Sequence, residues 1–352
     1  MSFDSRQTSP LSAQQLNKRR KYLGATFVSL IVVSLVFGTV HVLSLGSNRM
    51  QQMRDLAGYD LKNEKDRIRA AGEDLFLTDR HDKGRVTLVS YTTEEADVLL
   101  SSQDFEMLGE MVSIPEGTFL MGTNNLKSDM QNHPEHKVFL DAFKIDKYLV
   151  TNAEYARFVA AKTYRPPISW PSGKFKPGVE KHPVTMVSWF DAKNFCEWSG
   201  KRLVNENEWE KAARSDDGRR WPWGNKMDRT RLNTYYNVGS TTEVTEYSTG
   251  ASPYGVLDLS GNVQEWVAND FLPYEGSGAN AGLFKAKKAV VSEDKNSQRM
   301  KVADFVETEE RYKVMRGGSW KSDPFSTSAY HRNFSMPQMA SDFFGFRCAQ
   351  DI

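Results

Sequence analysis

The stretch Tyr254–Val267 constrains the fold more than any other part of the sequence, and it reads Tyr-Gly-Val-Leu-Asp-Leu-Ser-Gly-Asn-Val-Gln-Glu-Trp-Val. Its leucines and valines predict the wall of a core, and Gly255 and Gly261 allow backbone angles that larger residues resist. Asn262 and Glu265 place an amide oxygen and a carboxylate three residues apart at a turn, which suits calcium. The alternative is that Asn262 caps the turn and Glu265 is a satisfied polar residue. The spacing alone favours this alternative.

The composition indicates a large, loop-rich protein without a nucleic-acid partner. Its 352 residues suffice for one large domain or two smaller ones with extensions. The 46 basic and 45 acidic residues give a net charge of +1, so the basic surface that binds nucleic acid is not expected. Frequent Gly and Pro predict many loops. The two cysteines, Cys196 and Cys348, form either one disulfide or two buried thiols, and the sequence leaves both possibilities open.

The first 106 residues predict a membrane anchor and a stalk. A polar tail over residues 1–21 ends in the basic block Lys18–Lys21, and residues 22–45 then contain no Asp, Glu, Lys or Arg. A helix of that length spans the roughly 30 Å hydrocarbon core of a bilayer. Because the basic block precedes it, we expect a single-pass protein of a bacterial inner membrane, with a cytoplasmic N-terminus and a periplasmic domain. Residues 46–106 are expected to form a helical stalk, either a short coiled coil or a helix packed on its own domain.

Residues 107–352 predict the globular domain. Residues 111–122 alternate in polarity around turn residues and are expected to form a hairpin. Capping residues predict three helices, over 151–161, 188–199 and 205–215. Tryptophans on the last two are expected to pack in the core rather than line a ligand groove. Residues 270–312 look like an insertion, either a solvated loop or a lysine-rich docking surface.

A series of motifs follows in order along this domain: Ile114–Gly122, Phe143–Phe158, Pro183–Arg214, Trp221–Asn225, Tyr254–Trp266, Arg316–Trp320 and Gly345–Ala349. Together they resemble the sulfatase-modifying-factor family, the formylglycine-generating enzymes. The resemblance implies an irregular α+β fold of C-type-lectin-like character with bound structural calcium. It implies calcium sites near Asn262 and Glu265, and near Asn233 and Asn237. For the first pair it therefore favours calcium over the capping interpretation.

The sequence departs from this family at its catalytic centre. Catalytic members carry two cysteines shortly after an Arg-Gly-Gly-Ser motif, and these bind copper(I) and activate oxygen to oxidise a substrate cysteine. Thiolates are the soft ligands that copper(I) prefers. Here the motif is Arg316–Ser319, with Ser322 at the first cysteine position and Thr327 near the second. We therefore expect no copper.

Two hypotheses for function follow. Residues 331–349 resemble the gliding-motility and type IX secretion lipoproteins, which use the fold as an assembly part, although this chain has no cysteine before Cys196 to carry a lipid. We expect a non-catalytic accessory or scaffold subunit that contacts other subunits of a membrane complex. The alternative is an enzyme with altered chemistry, or a module that binds sugars or other polar ligands. Its candidate pocket residues are Ser322, Asp323, His331 and Arg332.

Overall fold

The computed structural model describes residues 90–294 and 299–352. The predicted tail and anchor, and the stalk as far as residue 89, lie outside the described residues. In the described part, no helix has the length and apolar character needed to cross a bilayer.

The domain is an irregular α+β structure of short elements joined by long loops. Its helices are α1 (Thr93–Asp97), α2 (Ser102–Leu108), α3 (Asn152–Lys162), α4 (Trp189–Trp198) and α5 (Glu206–Arg214). Its strands are β1 (Met111–Ile114), β2 (Gly117–Met121), β3 (His136–Leu140), β4 (Phe143–Asp146), β5 (Arg202–Leu203), β6 (Gln264–Asp270), β7 (Lys287–Asp294), β8 (Arg299–Glu307), β9 (Lys313–Arg316), β10 (Asn333–Ser335), β11 (Phe344–Phe346) and β12 (Cys348–Asp351).

Two four-stranded sheets frame the core. One has the order β1-β4-β12-β5 and the other the order β10-β9-β6-β11, in which β11 runs parallel to β6. The predicted hairpin over residues 111–122 is wrong, because β1 pairs with β4 and β2 pairs with β3. Strands β1 and β2 are separated by Pro115 and Glu116, and Gly117, the first residue of β2, has a φ of 140°. The chain therefore passes from one sheet to another instead of folding back on itself.

The three predicted helices are confirmed, and the reciprocal caps of the first two form. The Thr151 hydroxyl accepts the Glu154 N–H at 3.3 Å, and the Glu154 carboxylate accepts the Thr151 N–H at 2.9 Å. Ser188 and Asp191 make the same reciprocal bonds at the start of α4. These bonds satisfy backbone donors that the first helical turn leaves unpaired.

The aromatic core lies between α3, α4 and the closing strands. The rings of Tyr155 and Phe195 stack 5.7 Å apart, and Phe195 also contacts Phe346 of β11 edge to face. Cys196 on α4 is joined to Cys348 on β12 by a disulfide with an Sγ–Sγ distance of 2.00 Å and a Cα–Cα distance of 5.6 Å. The sequence left open whether the two cysteines form a disulfide or remain buried thiols, and the structure shows the disulfide.

The folded domain begins before residue 107, where the sequence analysis drew its boundary. Helices α1 and α2 belong to the predicted stalk, yet they contact the domain. Asp97 pairs with Arg157 at 2.8 Å, and the Arg157 guanidinium lies 3.3 Å from the centre of the Phe105 ring. Lys174 pairs with Glu95 at 2.6 Å. These contacts between distant parts of the sequence could not be seen in the local charge pattern of the stalk.

The predicted insertion contains a two-stranded antiparallel ribbon rather than only a loop. Strand β7 pairs with β8 from Lys287 opposite Glu307 to Asp294 opposite Arg299, with one register shift after Val290. Neither strand pairs with another described strand.

Candidate functional site

The segment from Asp258 to Glu265 forms a buried turn that leads into β6. Gly261 has a φ of 84°, and a β-carbon there would stand 2.4 Å from the Asn233 carbonyl oxygen, so the position requires glycine. Asn262 follows with a φ of 58°, in the left-handed region that asparagine tolerates better than most residues. Its N–H donates to the Asn233 carbonyl at 2.8 Å. The turn therefore brings Asn233 and Asn262, predicted for two different calcium sites, into contact.

Glu265 has a different environment. Both its oxygens accept hydrogen bonds from Arg347, from Nε at 2.6 Å and from Nη2 at 3.0 Å, and both side chains are fully buried. A bidentate guanidinium already neutralises this carboxylate. In this arrangement Glu265 does not fit a calcium ligand, and the structure does not bring its carboxylate together with the Asn262 amide.

A group of buried oxygens instead surrounds Asn262. Its Oδ1 accepts the Thr242 N–H at 3.0 Å, and its Nδ2 donates to the Asp258 carboxylate at 2.9 Å. Burial raises the pKa of Asp258 to about 7, against the opposing effect of the Asn262 hydrogen bond. Within the described part of the chain, the Asn233 Oδ1 and Thr242 Oγ1 atoms are buried without a hydrogen-bond partner. Such atoms are costly unless a water molecule or an ion completes them.

This group, rather than Glu265, fits a hard cation. Carboxylate and amide oxygens are among the donors that calcium prefers. The Asn233 Nδ2 donates to the Ser240 carbonyl at 2.8 Å, which leaves its Oδ1 for a ligand. Asn237 is exposed four residues further along the loop. Over residues 90–294 and 299–352, no three His, Cys, Asp or Glu side chains are placed to bind a metal together, so this group depends on neutral oxygens around one carboxylate.

Ser322, which the resemblance places at the family's first cysteine position, and Thr327, which it places near the second, meet beside Gly318. A β-carbon on Gly318 would lie 3.3 Å from the Ser322 Cβ and 3.0 Å from the Thr327 Cγ2. The Ser322 Oγ accepts the Ser319 N–H at 2.9 Å, and the Thr327 Oγ1 accepts the Trp221 indole N–H at 3.3 Å. The fold therefore brings the two positions together, but their hydroxyls hold the loop in place.

Copper(I) does not fit these residues. Hydroxyl oxygens are hard donors, whereas copper(I) selects thiolates and thioethers. The chain has two cysteines, and both sulfurs are bonded to each other.

The other candidate pocket residues do not form a nucleophile and base. The Asp323 carboxylate accepts two backbone N–H groups of its own turn, at 2.8 and 3.2 Å. The His331 Nδ1 lies 3.9 Å from the Asp129 carboxylate, and burial lowers the His331 pKa. Arg332 is paired with Glu206 through bonds of 2.7 and 3.0 Å. Each group has a separate structural partner, so no triad geometry results.

A buried ionic cluster lies where the sequence analysis expected only helix packing. Glu210 on α5 accepts hydrogen bonds from Arg316, and from Arg214 at 2.7 Å. The pair of Glu206 with Arg332 extends the cluster one helical turn earlier. All five side chains are almost completely buried. The signal that the sequence offered was the spacing of four between the charged residues of α5, which places them on one face of the helix.

The fold and this loop define a class of protein: a domain of the formylglycine-generating type that carries hydroxyl side chains at or near the two positions where catalytic members carry cysteines. The chain belongs to the sulfatase-modifying factor enzyme 1-like domain family, whose sequence profile matches residues 97–352.

Two relatives and one solved structure are similar to this chain over two thirds of its length or more. The chain is 30% identical over 296 residues to the inactive Cα-formylglycine-generating enzyme 2 of Mus musculus, covering 68% of this chain and 85% of that protein. It is 32% identical over 284 residues to the serine/threonine-protein kinase pkn1 of Chlamydia caviae, covering 76% of this chain but 42% of the kinase. The structure of PvdO from Pseudomonas aeruginosa aligns with a TM-score of 0.54 and 26% identity, over 69% of this chain and 94% of that one. The chain therefore spans less than half the length of the kinase-named relative.

Proposed function

We propose that this chain is a non-catalytic accessory or scaffold subunit of a bacterial envelope complex, and that its domain makes contacts with other proteins. The observation that carries the proposal is the state of the Ser322 and Thr327 hydroxyls. Ser322 lies where the family's first cysteine is expected and Thr327 lies near the second. Both hydroxyls are hydrogen-bonded within the domain, and hydroxyls are poor ligands for copper(I). The description of the mouse relative as inactive agrees with a member of the family that does no chemistry.

We also propose that residues 22–45 anchor the chain in the inner membrane, with the domain in the periplasm. The uncharged run and the basic block before it support this orientation. The disulfide between Cys196 and Cys348 supports it independently, because such bonds persist in oxidising compartments. Of two reporter enzymes fused after Ile352, the one that is active only in the periplasm should be active. Activity of the one that works only in the cytoplasm would exclude this topology.

The scaffold function is tested on the full chain extracted from its own membrane in mild detergent. We expect it to migrate as a complex with partner proteins in fixed proportion, well above its mass of 40.0 kDa. Migration as a lone monomer would exclude the function.

The absence of catalysis is tested separately. The purified chain should form no aldehyde on a cysteine-containing peptide in the presence of copper(I) and oxygen, and should retain no stoichiometric copper after dialysis. Aldehyde formation or retained copper would favour the enzymatic alternative.

For the buried oxygens around Asn262, we propose a structural calcium ion held by Asn262, Asn233 and Asp258. The unpartnered Asn233 oxygen beside a buried carboxylate supports this choice. A ligand present at a hundred times its dissociation constant stabilises a protein by about 2.7 kcal/mol. Calcium should therefore raise the melting temperature of the chelator-treated protein, and Asp258→Asn should reduce that rise, whereas Glu243→Gln on the exposed loop nearby should not. An equal rise in wild type and Asp258→Asn would contradict the assignment.

A further inference from the structure

Arg220 is held rigidly at the surface next to the loop that contains Ser322 and Thr327. Its guanidinium carbon lies 4.5 Å from the centre of the Trp221 ring and 5.4 Å from that of Phe325. Its Nε donates to the Ser328 hydroxyl at 3.1 Å. Contacts with ring faces and one hydrogen bond fix the side chain, so little conformational entropy remains to be lost when it binds a ligand.

The charge of Arg220 has no partner in the part of the chain that the structure describes. The adjacent Arg219 pairs with Asp217 at 2.5 Å, but no carboxylate of residues 90–294 and 299–352 lies within ion-pair distance of Arg220. Its two terminal nitrogens make no hydrogen bond within the described residues, and neither of them is fully buried. They are therefore accessible at the surface. An arginine always carries its charge and offers two parallel N–H donors to a carboxylate.

Aromatic rings extend the surface around this cation. Phe325 is 69% exposed, although it is a large apolar side chain. Trp223 is half-exposed, and its ring lies nearly parallel to that of Trp221, at an interplanar angle of 8°. Arginine and tryptophan are the residues that most often dominate the binding energy of protein interfaces.

We propose that Arg220, Trp223 and Phe325 form a docking site for an extended segment of a partner protein that carries a carboxylate next to an apolar side chain. The carboxylate pairs with the Arg220 guanidinium, and the apolar side chain covers Phe325. The proposal rests on the scaffold function above, and it names the surface and the partner chemistry.

The local chemistry favours a peptide over an acidic sugar. A sugar is held mainly by hydrogen bonds from its hydroxyls to free carboxylates. The carboxylate of Asp323, on the same loop as Phe325, is already engaged by the backbone N–H groups of its turn and by the Ser326 hydroxyl at 2.6 Å. The surface around Arg220 presents a cation and exposed apolar area, which suit a peptide that is both acidic and apolar.

The test uses a displayed library of random twelve-residue peptides, selected on the full chain in detergent. Wild type should enrich peptides with Asp or Glu at a fixed position beside an apolar residue. Arg220→Gln should lose the acidic preference, and Arg220→Glu should prefer Lys or Arg at that position. Arg165→Gln, at an exposed arginine elsewhere on the domain, is the matched control and should behave as wild type.

The consensus peptide then gives the size of the effect. A hydrogen bond to a charged group is worth roughly a tenfold change in affinity or more. Replacing the peptide's acidic residue by its amide, or Arg220 by Gln, should each weaken binding at least about tenfold, and the two changes together should add little. Three outcomes would overturn the proposal. Wild type could select peptides without an acidic preference, Arg220→Gln could select the same peptides as wild type, or oligogalacturonate could bind more strongly than the consensus peptide. If such a result accompanied an intact complex in detergent, the scaffold function would stand and only this surface would be excluded.

Discussion

Three buried arginines of this domain and one surface arginine use the same side chain in opposite ways. Arg316, Arg332 and Arg347 are fully buried or nearly so, and each is paired with a buried glutamate. Arg220 is at the surface, held by ring faces and by the neutral Ser328 hydroxyl, and pairs with no carboxylate among the described residues. The interior arginines hold segments of the domain together, whereas the donors of Arg220 remain available to a partner.

This difference predicts which arginines affect the stability of the domain and which affect binding. Charges removed from water are tolerated only when their partners are supplied from within the chain. A charge at the surface, such as that of Arg220, stays in contact with water and needs no such partner. Its position between two rings therefore contributes little to the stability of the domain. Mutations in the two groups should therefore separate stability from binding.

The largest expected effect comes from Glu210→Ala, which removes the shared partner of Arg214 and Arg316. Breaking one buried ion pair costs about 3–5 kcal/mol, so losing the partner of two arginines should cost at least about 4 kcal/mol in the free energy of unfolding. Denaturant titration measures it, with Glu106→Ala on the exposed side of α2 as control. If Glu210→Ala does not fold, Glu210→Gln should fold with an intermediate loss. A loss below about 1 kcal/mol in either variant would contradict the assigned role of the cluster.

A somewhat smaller loss is expected for Glu265→Gln, because the amide still accepts one hydrogen bond from Arg347 while the charge of the guanidinium is no longer neutralised. We expect a loss of about 3 kcal/mol in the free energy of unfolding. Glu309→Gln, at an exposed glutamate outside any ion pair in the described residues, should change stability by less than about 0.5 kcal/mol. Equal stability of the two variants would mean that the pair is not formed in solution.

Much of this fold was predictable from local sequence signals. The helix caps at Thr151 and Ser188 form as predicted, because a capping box depends on residues three apart. The order of the motifs also indicated the family, which the sequence profile confirms. The pairing of β1 and β2 was not predictable, since alternation shows that a segment is a strand but not which strand is its neighbour.

The site shows the same limit. The spacing of Asn262 and Glu265 suggested two ligands of one ion, but Glu265 is paired with Arg347, which lies 82 residues further along the chain. Asp258 was not singled out, although it is hydrogen-bonded to Asn262 four residues later. The sequence shows which side chains could be ligands, but long-range pairing determines which of them remain free.

The pH dependence of stability tests whether the fold protects His331 from protonation. Burial, and to a lesser extent the nearby charge of Arg316, lowers the pKa of His331 below its usual 6.5, while the Asp129 carboxylate opposes the shift. The unfolded chain then binds a proton below pH 6.5 that the folded chain resists, so His331 lowers the stability as the pH drops from 7 to 5. Asp258, whose pKa burial raises to about 7, contributes in the opposite direction. One group accounts for up to about 1.4 kcal/mol per pH unit. Relative to wild type, His331→Asn should therefore gain stability as the pH falls from 7 to 5, whereas His182, whose pKa is also lowered by burial, keeps its own contribution in both proteins. An unchanged slope in His331→Asn would show that His331 is not protected from protonation in the fold.

The smallest effect on stability, and the one that most sharpens the comparison, is expected for Arg220→Gln. A cation–π contact at a partly exposed site is worth about 0.5–1 kcal/mol, and the bond to the Ser328 hydroxyl involves no buried charge. The free energy of unfolding should therefore fall by no more than about 1 kcal/mol, measured beside Glu210→Ala in the same denaturant series. A loss as large as that of Glu210→Ala would place Arg220 with the structural arginines. A near-native stability combined with loss of the acidic peptide preference would instead show that its donors serve a partner, because the loss of binding would then not come from a loss of folding.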